Sequence, residues 1–419
     1  MLIAKRAFLF LQGVCSPFFN QLAQRLIDDG HKVIKVNFNA GDQWYWRQDQ
    51  AHAFRDPLPM LGDFVADLWR RHGITDQIVF GDCRPVHRDV IRAARRFGIR
   101  NHVFEEGYFR PYWITLEREG VNRHSLLPRD PDWYREVGAM IPRALPPRAF
   151  SNAFASRAAH DVAYHLAGIA NPLLFRHYRR HAALPIAREY AGYVKRFSAL
   201  HVQRLRDNRR CCDLLNKNRP FYLLPLQLDG DAQIRFHSPF PNMRDFLTHA
   251  VTSFAAFAPQ RTRLVIKNHP LDMGLSGHAR HIRELARELS LQGRLVYLES
   301  GDLDALIQHA SGMVTVNSTA GHVALEQGCP TLALGQPLYH MPGLTAPGSL
   351  DDFWQHPIGP RPSLFNDYAR VVIHAAQING GFYSRQGIDL AVINAVPQLT
   401  SPISPLEQLL CASRLPVAS

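Results

Sequence analysis

Four short stretches gather side chains able to do chemistry, each where an apolar, β-rich run ends. Phe104-Glu105-Glu106-Gly107-Tyr108 supplies two adjacent carboxylates. Leaving a strand they point in different directions, so one can act as general base on a hydroxyl while the other holds a loop. Two solvated loop acids before a turn glycine are the plainer reading. Gln227-Leu228-Asp229-Gly230-Asp231-Ala232-Gln233 sets a glycine between two aspartates. Such a turn could lift one carboxylate as nucleophile, base or metal ligand, and an Asx turn is the alternative. Ile266-Lys267-Asn268-His269-Pro270 offers a cation and an imidazole, with Pro270 fixing the backbone just after His269. Lys267 and His269 could neutralise a phosphate, and His269 could protonate a leaving phosphate oxygen, unless the histidine is structural. Val316-Asn317-Ser318-Thr319-Ala320-Gly321 runs into a helix. The N–H groups and hydroxyls of that first turn suit a phosphate, or else form a plain N-cap.

Open parallel sheets place their ligands at the C-terminal ends of strands, so the four stretches call for α/β units behind them. The first hundred residues supply one, with strands expected at Ala7–Leu11, Lys32–Phe38, Gln77–Gly81 and Asn101–Phe104 and helices at Phe18–Asp29 and Pro85–Phe97. The same alternation restarts after Pro220 and continues to Thr331–Leu334. The pattern predicts an α/β chain of two Rossmann-like domains facing across a cleft, the architecture of the GT-B type, although many other enzymes also pair α/β domains. Residues 1–142 would form the first domain, 143–219 a basic helical connector and 220–345 the second. Residues 346–419 would be C-terminal helices crossing back to the first domain, by analogy.

Of 419 residues 46% are hydrophobic and 20% charged, which excludes wholesale disorder. No apolar run reaches the 18 or so residues a membrane-spanning helix needs. Six cysteines show neither disulfide nor zinc spacing, which fits a reducing cytoplasm. The opening MLIAKRAFLFLQGVC imitates a signal peptide, but its apolar stretch is short and reads as a buried strand. The net charge is +12, and Arg143 to Arg219 alone carries +11. Within it Phe175-Arg176-His177-Tyr178-Arg179-Arg180 and Tyr193-Val194-Lys195-Arg196-Phe197 interleave cations with aromatic rings. That arrangement suits an anionic membrane surface, contacted by Arg176, Arg179, Arg180, Lys195 and Arg196. A solvated connector is the bland alternative, and nucleic acid binding lacks any recognised module.

The motifs Glu105-Glu106-Gly107, His269-Pro270 and Ser318-Thr319, in this order, resemble those of bacterial transferases that use CMP-activated 2-keto sugars. With FLQGVCSPFFNQLAQRL, VNFNAGD, FEEGYFRPYWITLEREGVN, QLDGDAQIRFHSPF, KNHPLDMG, TVNSTAGHVAL and LGQPLYHMPGLT, the chain resembles the capsule polysaccharide synthesis family, in particular its KpsS type. The resemblance runs from about Phe8 to Leu344. It implies a retaining β-Kdo transferase that uses CMP-β-Kdo and starts a poly-Kdo linker on a phosphatidylglycerol-type lipid at the inner face of the inner membrane. Lys267, His269 and Pro270 would then hold the CMP phosphate, and Asn317, Ser318 and Thr319 the same phosphate or the cytidine sugar. Asp231 would be the catalytic carboxylate, with Asp229 its competitor. Arg235 or His237 would be the candidates to meet the donor carboxylate, and Glu105 or Glu106 would deprotonate the acceptor. No cofactor is required by this chemistry, and Mg²⁺ is compatible with it. Other capsule assembly proteins are expected partners, and nucleic acid is not. A noncatalytic assembly or export factor, and a CMP-sialic acid transferase, are the rival readings.

Overall fold

The structure, a computed structural model, describes residues 5–151, 154–180, 186–216, 219–228, 234 and 238–413. The chain divides into two compact units. The first comprises Met1–Pro128, Glu136–His181 and Ala369–Ser419, the second Arg129–Arg135 and Ala182–Tyr368. The basic stretch expected as a separate connector is therefore shared between the units, and only the part of the tail from Ala369 onward belongs to the first.

In the first unit the strands are β1 (Ala7–Phe10), β2 (Lys32–Asn37), β3 (Ala51–Ala53), β4 (Asp76–Phe80), β5 (Arg100–Glu106) and β6 (Trp113–Arg118). The second unit contributes β7 (Phe221–Pro225), β8 (Arg263–Lys267), β9 (Leu295–Leu298), β10 (Gly312–Thr315) and β11 (Thr331–Ala333), and the tail adds β12 (Gln377–Asn379) to the first. The first sheet runs β12-β6-β5-β4-β1-β2-β3. Its five strands from β3 to β5 are parallel, while β6 and β12 are antiparallel additions. The second runs β11-β10-β7-β8-β9, all parallel. In both, the parallel strands stand in Rossmann order, so the progress of the chain across the sheet reverses between β1 and β4 and between β7 and β10. That reversal opens a crevice beside the strand ends, where such sheets bind ligands.

The strands expected from the sequence are covered on both faces, which makes them continuous apolar runs, whereas β3, exposed or half-buried along its three residues, and the added β6 and β12 were not expected. Along β1, Phe8 and Phe10 face Phe18, Leu22 and Phe104, while Leu9 joins Ile34, Val65, Leu68 and Val103 on the other side. In the second unit the helix Met243–Phe257 buries Phe246, Leu247 and Phe254 with Leu224 and Trp354, and Leu223, Val265 and Met313 form the opposite layer. One boundary differs from expectation in a way that matters. Strand β5 extends through Glu105 and Glu106, because β6 pairs antiparallel beside it, Glu105 against Thr115 and Glu106 against Ile114. The two acids thus lie within the strand end, on alternate faces, rather than in a loop after it.

Candidate functional site

The first unit builds a polar cluster where β1, β2, β4 and β5 end. Gly107 follows Glu106 because nothing larger fits: a Cβ there would lie 2.0 Å from the Trp113 carbonyl oxygen. The next residue anchors the turn, Tyr108 N–H donating to Gln377 Oε1 at 2.9 Å and its hydroxyl to Glu117 Oε1 at 2.7 Å. Glu105 Oε1 accepts from Glu106 N–H at 3.0 Å, and its other oxygen comes close to Gly81, whose φ of +72° makes the turn after β4. Glu106 pairs with Arg157 at 3.2 Å, and that guanidinium lies 4.8 Å over the Tyr383 ring. Both carboxylates are half-buried, so each is reachable yet held.

Further charged groups, not singled out from the sequence, complete this cluster. Arg84, after β4, donates to Gln12 Oε1 at 3.2 Å and to the Gly13 carbonyl at 2.9 Å, after β1. Its guanidinium sits 4.9 Å over Phe80. Asp42 accepts from Tyr164 Oη at 2.9 Å and from Phe38 N–H at 3.1 Å. Lys35 donates to the carbonyls of Leu11 and Val36, and burial lowers its ammonium to about 8. Gln12 and Arg84 flank the β1–β4 reversal; Gln12 lies within the string FLQGVCSPFFNQLAQRL, while the only mark Arg84 leaves in the sequence is its position just past a strand. Nearby, Asp82, Cys83 and His124 bring ligand-type atoms within 4.8 Å of one another. Asp82 Oδ2 already serves His124 at 3.0 Å and Val121 N–H at 3.1 Å, so this group ties the loop after β6.

The second unit carries the phosphate-type motifs at the matching edge of its own sheet. Leu223 pairs with Met313 and Pro225 with Lys267, and continuing the first register four residues and the second two sets Gln227 level with Asn317 and His269. Gln227 Nε2 donates to Asn317 Oδ1 at 3.0 Å, and Asn317 N–H donates back to Gln227 Oε1 at 3.2 Å. The loops after β7 and β10 are thereby joined across the crevice. Lys267 is buried at the end of β8, and burial lowers its pKa. His269 Nδ1 accepts from Leu271 N–H at 3.1 Å, so the neutral ring carries its proton on Nε2. Pro270 beside it is exposed. Ser318 Oγ accepts from Ala320 N–H at 3.1 Å, but the helix N-cap is the next residue, half-buried Thr319, whose side chain makes no cap hydrogen bond, so the plain N-cap expected at Asn317 or Ser318 is not formed. Gly321 is obligatory, since a Cβ would meet Tyr339 Oη at 2.1 Å. That hydroxyl donates to the Ser318 carbonyl at 2.7 Å.

Arg196 corrects an expectation. It is 6% exposed and turned away from the outer surface. Its guanidinium donates to the carbonyls of Pro270 at 2.9 Å, His269 at 3.2 Å and Asp272, and lies 3.5 Å from Glu299. The side chain comes from the helix Ile186–Asn216, which approaches closely because Gly192 has only hydrogen toward the Met273 carbonyl. Farther along the same helix, buried Asp207 accepts from Glu299 N–H at 2.9 Å and Ser300 N–H at 3.0 Å. The basic helix therefore clamps the loops after β8 and β9. Arg176, Arg179 and Lys195 are exposed and Arg180 half-buried. Asp229, Asp231, Arg235 and His237 lie outside the described residues.

Two Rossmann-type units, each with a polar cluster at the C-terminal edge of its parallel sheet, define the α/β architecture of the GT-B class. Residues 75–383 match the family of capsule polysaccharide biosynthesis proteins, and the chain belongs to that family. It is 36% identical over 389 residues to the capsule polysaccharide modification protein LipB of Neisseria meningitidis serogroup B, covering 90% of this chain and 91% of that one. With the capsule polysaccharide export protein KpsS of Escherichia coli it shares 35% identity over 387 residues, 91% and 98% of the two chains. Among solved structures, the Thermosulfurimonas dismutans KpsC β-Kdo 2,7 transferase superposes with a TM-score of 0.44 at 15% identity, over 94% of this chain and 99% of that one. No helix among the described residues is long and apolar enough to cross a membrane.

Proposed function

We propose that the chain is a retaining glycosyltransferase that moves Kdo from CMP-β-Kdo to a (lyso)phosphatidylglycerol acceptor and so begins the poly-Kdo linker of a capsular polysaccharide. The observation that carries this reading is the edge of the second sheet. Buried Lys267 ends β8, His269 follows two residues on with its Nδ1 held by Leu271 N–H, and Gln227 and Asn317 bridge the loops after β7 and β10. A dianionic donor, with a sugar carboxylate and a phosphodiester leaving group, requires such cationic and proton-donating groups. Membership of a capsule biosynthesis family supports the same substrate class.

In the proposed reaction Asp231 attacks the anomeric carbon, the bond to the phosphate oxygen breaks, and CMP departs as its anion, its leaving oxygen accepting a hydrogen bond from His269 Nε2–H. An acceptor hydroxyl, deprotonated by Glu105 or Glu106, then displaces the aspartate, so two inversions give retention. Lys267, Asn317, Ser318 and Thr319 hold the nucleotide, and Arg235 and His237 meet the Kdo carboxylate. No metal is needed for this scheme. The acceptor places the protein at the inner face of the inner membrane, beside other capsule assembly proteins.

The test is CMP release from CMP-Kdo with and without a short-chain lysophosphatidylglycerol. Release should require the acceptor, and Asp231→Ala should abolish it while the far-ultraviolet circular dichroism stays unchanged. Wild-type turnover in Asp231→Ala would remove the nucleophile. No release by the wild type would favour an export factor, and equal use of CMP-sialic acid would remove the Kdo assignment.

A further inference from the structure

We propose that one face of the helical segment at residues 154–174 in the first unit inserts into the headgroup layer of an anionic lipid bilayer, which deepens the lipid-acceptor reading above. The segment comprises the helix Phe154–Ala167, a 3₁₀ turn Gly168–Ala170 and the helix Asn171–Leu174. Its polarity is inverted. A helix on a protein surface ordinarily buries its apolar stripe and shows water its polar one. Here the inward side makes the polar contacts. Arg157 pairs with Glu106, His160 Nδ1 bonds Tyr45 Oη at 2.8 Å, Tyr164 Oη donates to Asp42, and Asn171 Oδ1 accepts from Ala40 N–H at 2.8 Å.

The outward positions Ala155, Ala159, Val162, Leu166, Ile169 and Leu173 recur every three or four residues, and every one of them is apolar and exposed. Exposure rises along the stripe, to 61% at Leu166, 74% at Ile169 and 89% at Leu173. A continuous apolar face of this kind marks an interaction surface.

Charge identifies the occupant. From residue 143 to 180 the sequence holds six arginines and one acid, Asp161. Exposed Arg143 and Arg148 precede the stripe, and exposed Arg176 and Arg179 follow it directly. Apolar side chains between flanking cations are the pattern of a helix lying in the plane of an anionic membrane.

The experiment uses the full chain with vesicles of phosphatidylglycerol or of phosphatidylcholine. The wild type should sediment with the former and be released by salt. Ile169→Gln/Leu173→Gln should weaken binding at least tenfold, and Arg176→Gln/Arg179→Gln by roughly 25-fold, at about fivefold for each cation. Ile169→Trp should shift its emission to the blue only when phosphatidylglycerol vesicles are present. CMP release with a soluble glycerophosphate acceptor, measured without vesicles, should match the wild type in Ile169→Gln/Leu173→Gln. Unchanged vesicle binding in that double variant overturns the insertion. So does a self-association of the wild type that the same variant abolishes, because the face would then belong to a second copy. Normal vesicle binding with no CMP release at all by the wild type would remove the transferase reading and leave the membrane face standing.

Discussion

Gln227 and Asn317 exchange two hydrogen bonds, at 3.0 and 3.2 Å, across the point where the strand order of the second sheet reverses. Both are buried, and 90 residues separate them in the chain. The pair aligns the loop that leads to Asp231 with the loop that starts the Ser318 turn.

Gln227→Ala should therefore cost about 1–3 kcal/mol, the penalty for removing partners from a buried amide. The loss should appear as a lower thermal midpoint, together with a raised KM for CMP-Kdo. A variant with wild-type KM would show that the bridge holds the fold without shaping the nucleotide site.

Arg196 tests whether the basic helix serves the His269 loop. Arg196→Lys keeps the charge but loses the planar fork that reaches the carbonyls of His269, Pro270 and Asp272 together. Donor turnover should drop by tenfold or more, while binding to phosphatidylglycerol vesicles stays at the wild-type level. A selective loss of vesicle binding would return Arg196 to the membrane.

Glu117 gives a pH signature. Burial pushes its carboxyl up to about 7 from 4.5, with the hydroxyls of Tyr108 and Ser125 donating to it. The folded state thus binds a proton that the unfolded state has released between those values. Its contribution to stability is full below about 4.5 and is lost as pH rises through 7. Glu117→Gln should remove that dependence. The stability of the wild type relative to the variant should decline by up to about 3 kcal/mol between pH 4.5 and 8. Parallel stability curves for the two proteins would show that Glu117 is charged throughout.

The parallel strands other than the three-residue, partly exposed β3 could be read from the chain because burial on both faces leaves a local mark, an unbroken apolar run ending in a polar cluster. The antiparallel additions left weaker marks. β6 carries Glu117 and Arg118 within its six residues, and β12 is three residues long, so neither stands out by pattern. Pairing with β6 is nonetheless what carries β5 through Glu105 and Glu106.

Residue types and spacing alone determined that this protein has two α/β halves, and which acids, histidine and hydroxyls stand at strand ends. They also located the excess positive charge in one segment. What each cation of that segment does was decided only by the fold. Arg157 turned inward to Glu106 and Arg196 to the His269 loop, while Arg176 and Arg179 stayed in water. A charged side chain looks the same in sequence whether it ends at a carbonyl or at the surface. Its partner is chosen by residues far along the chain that only folding brings near.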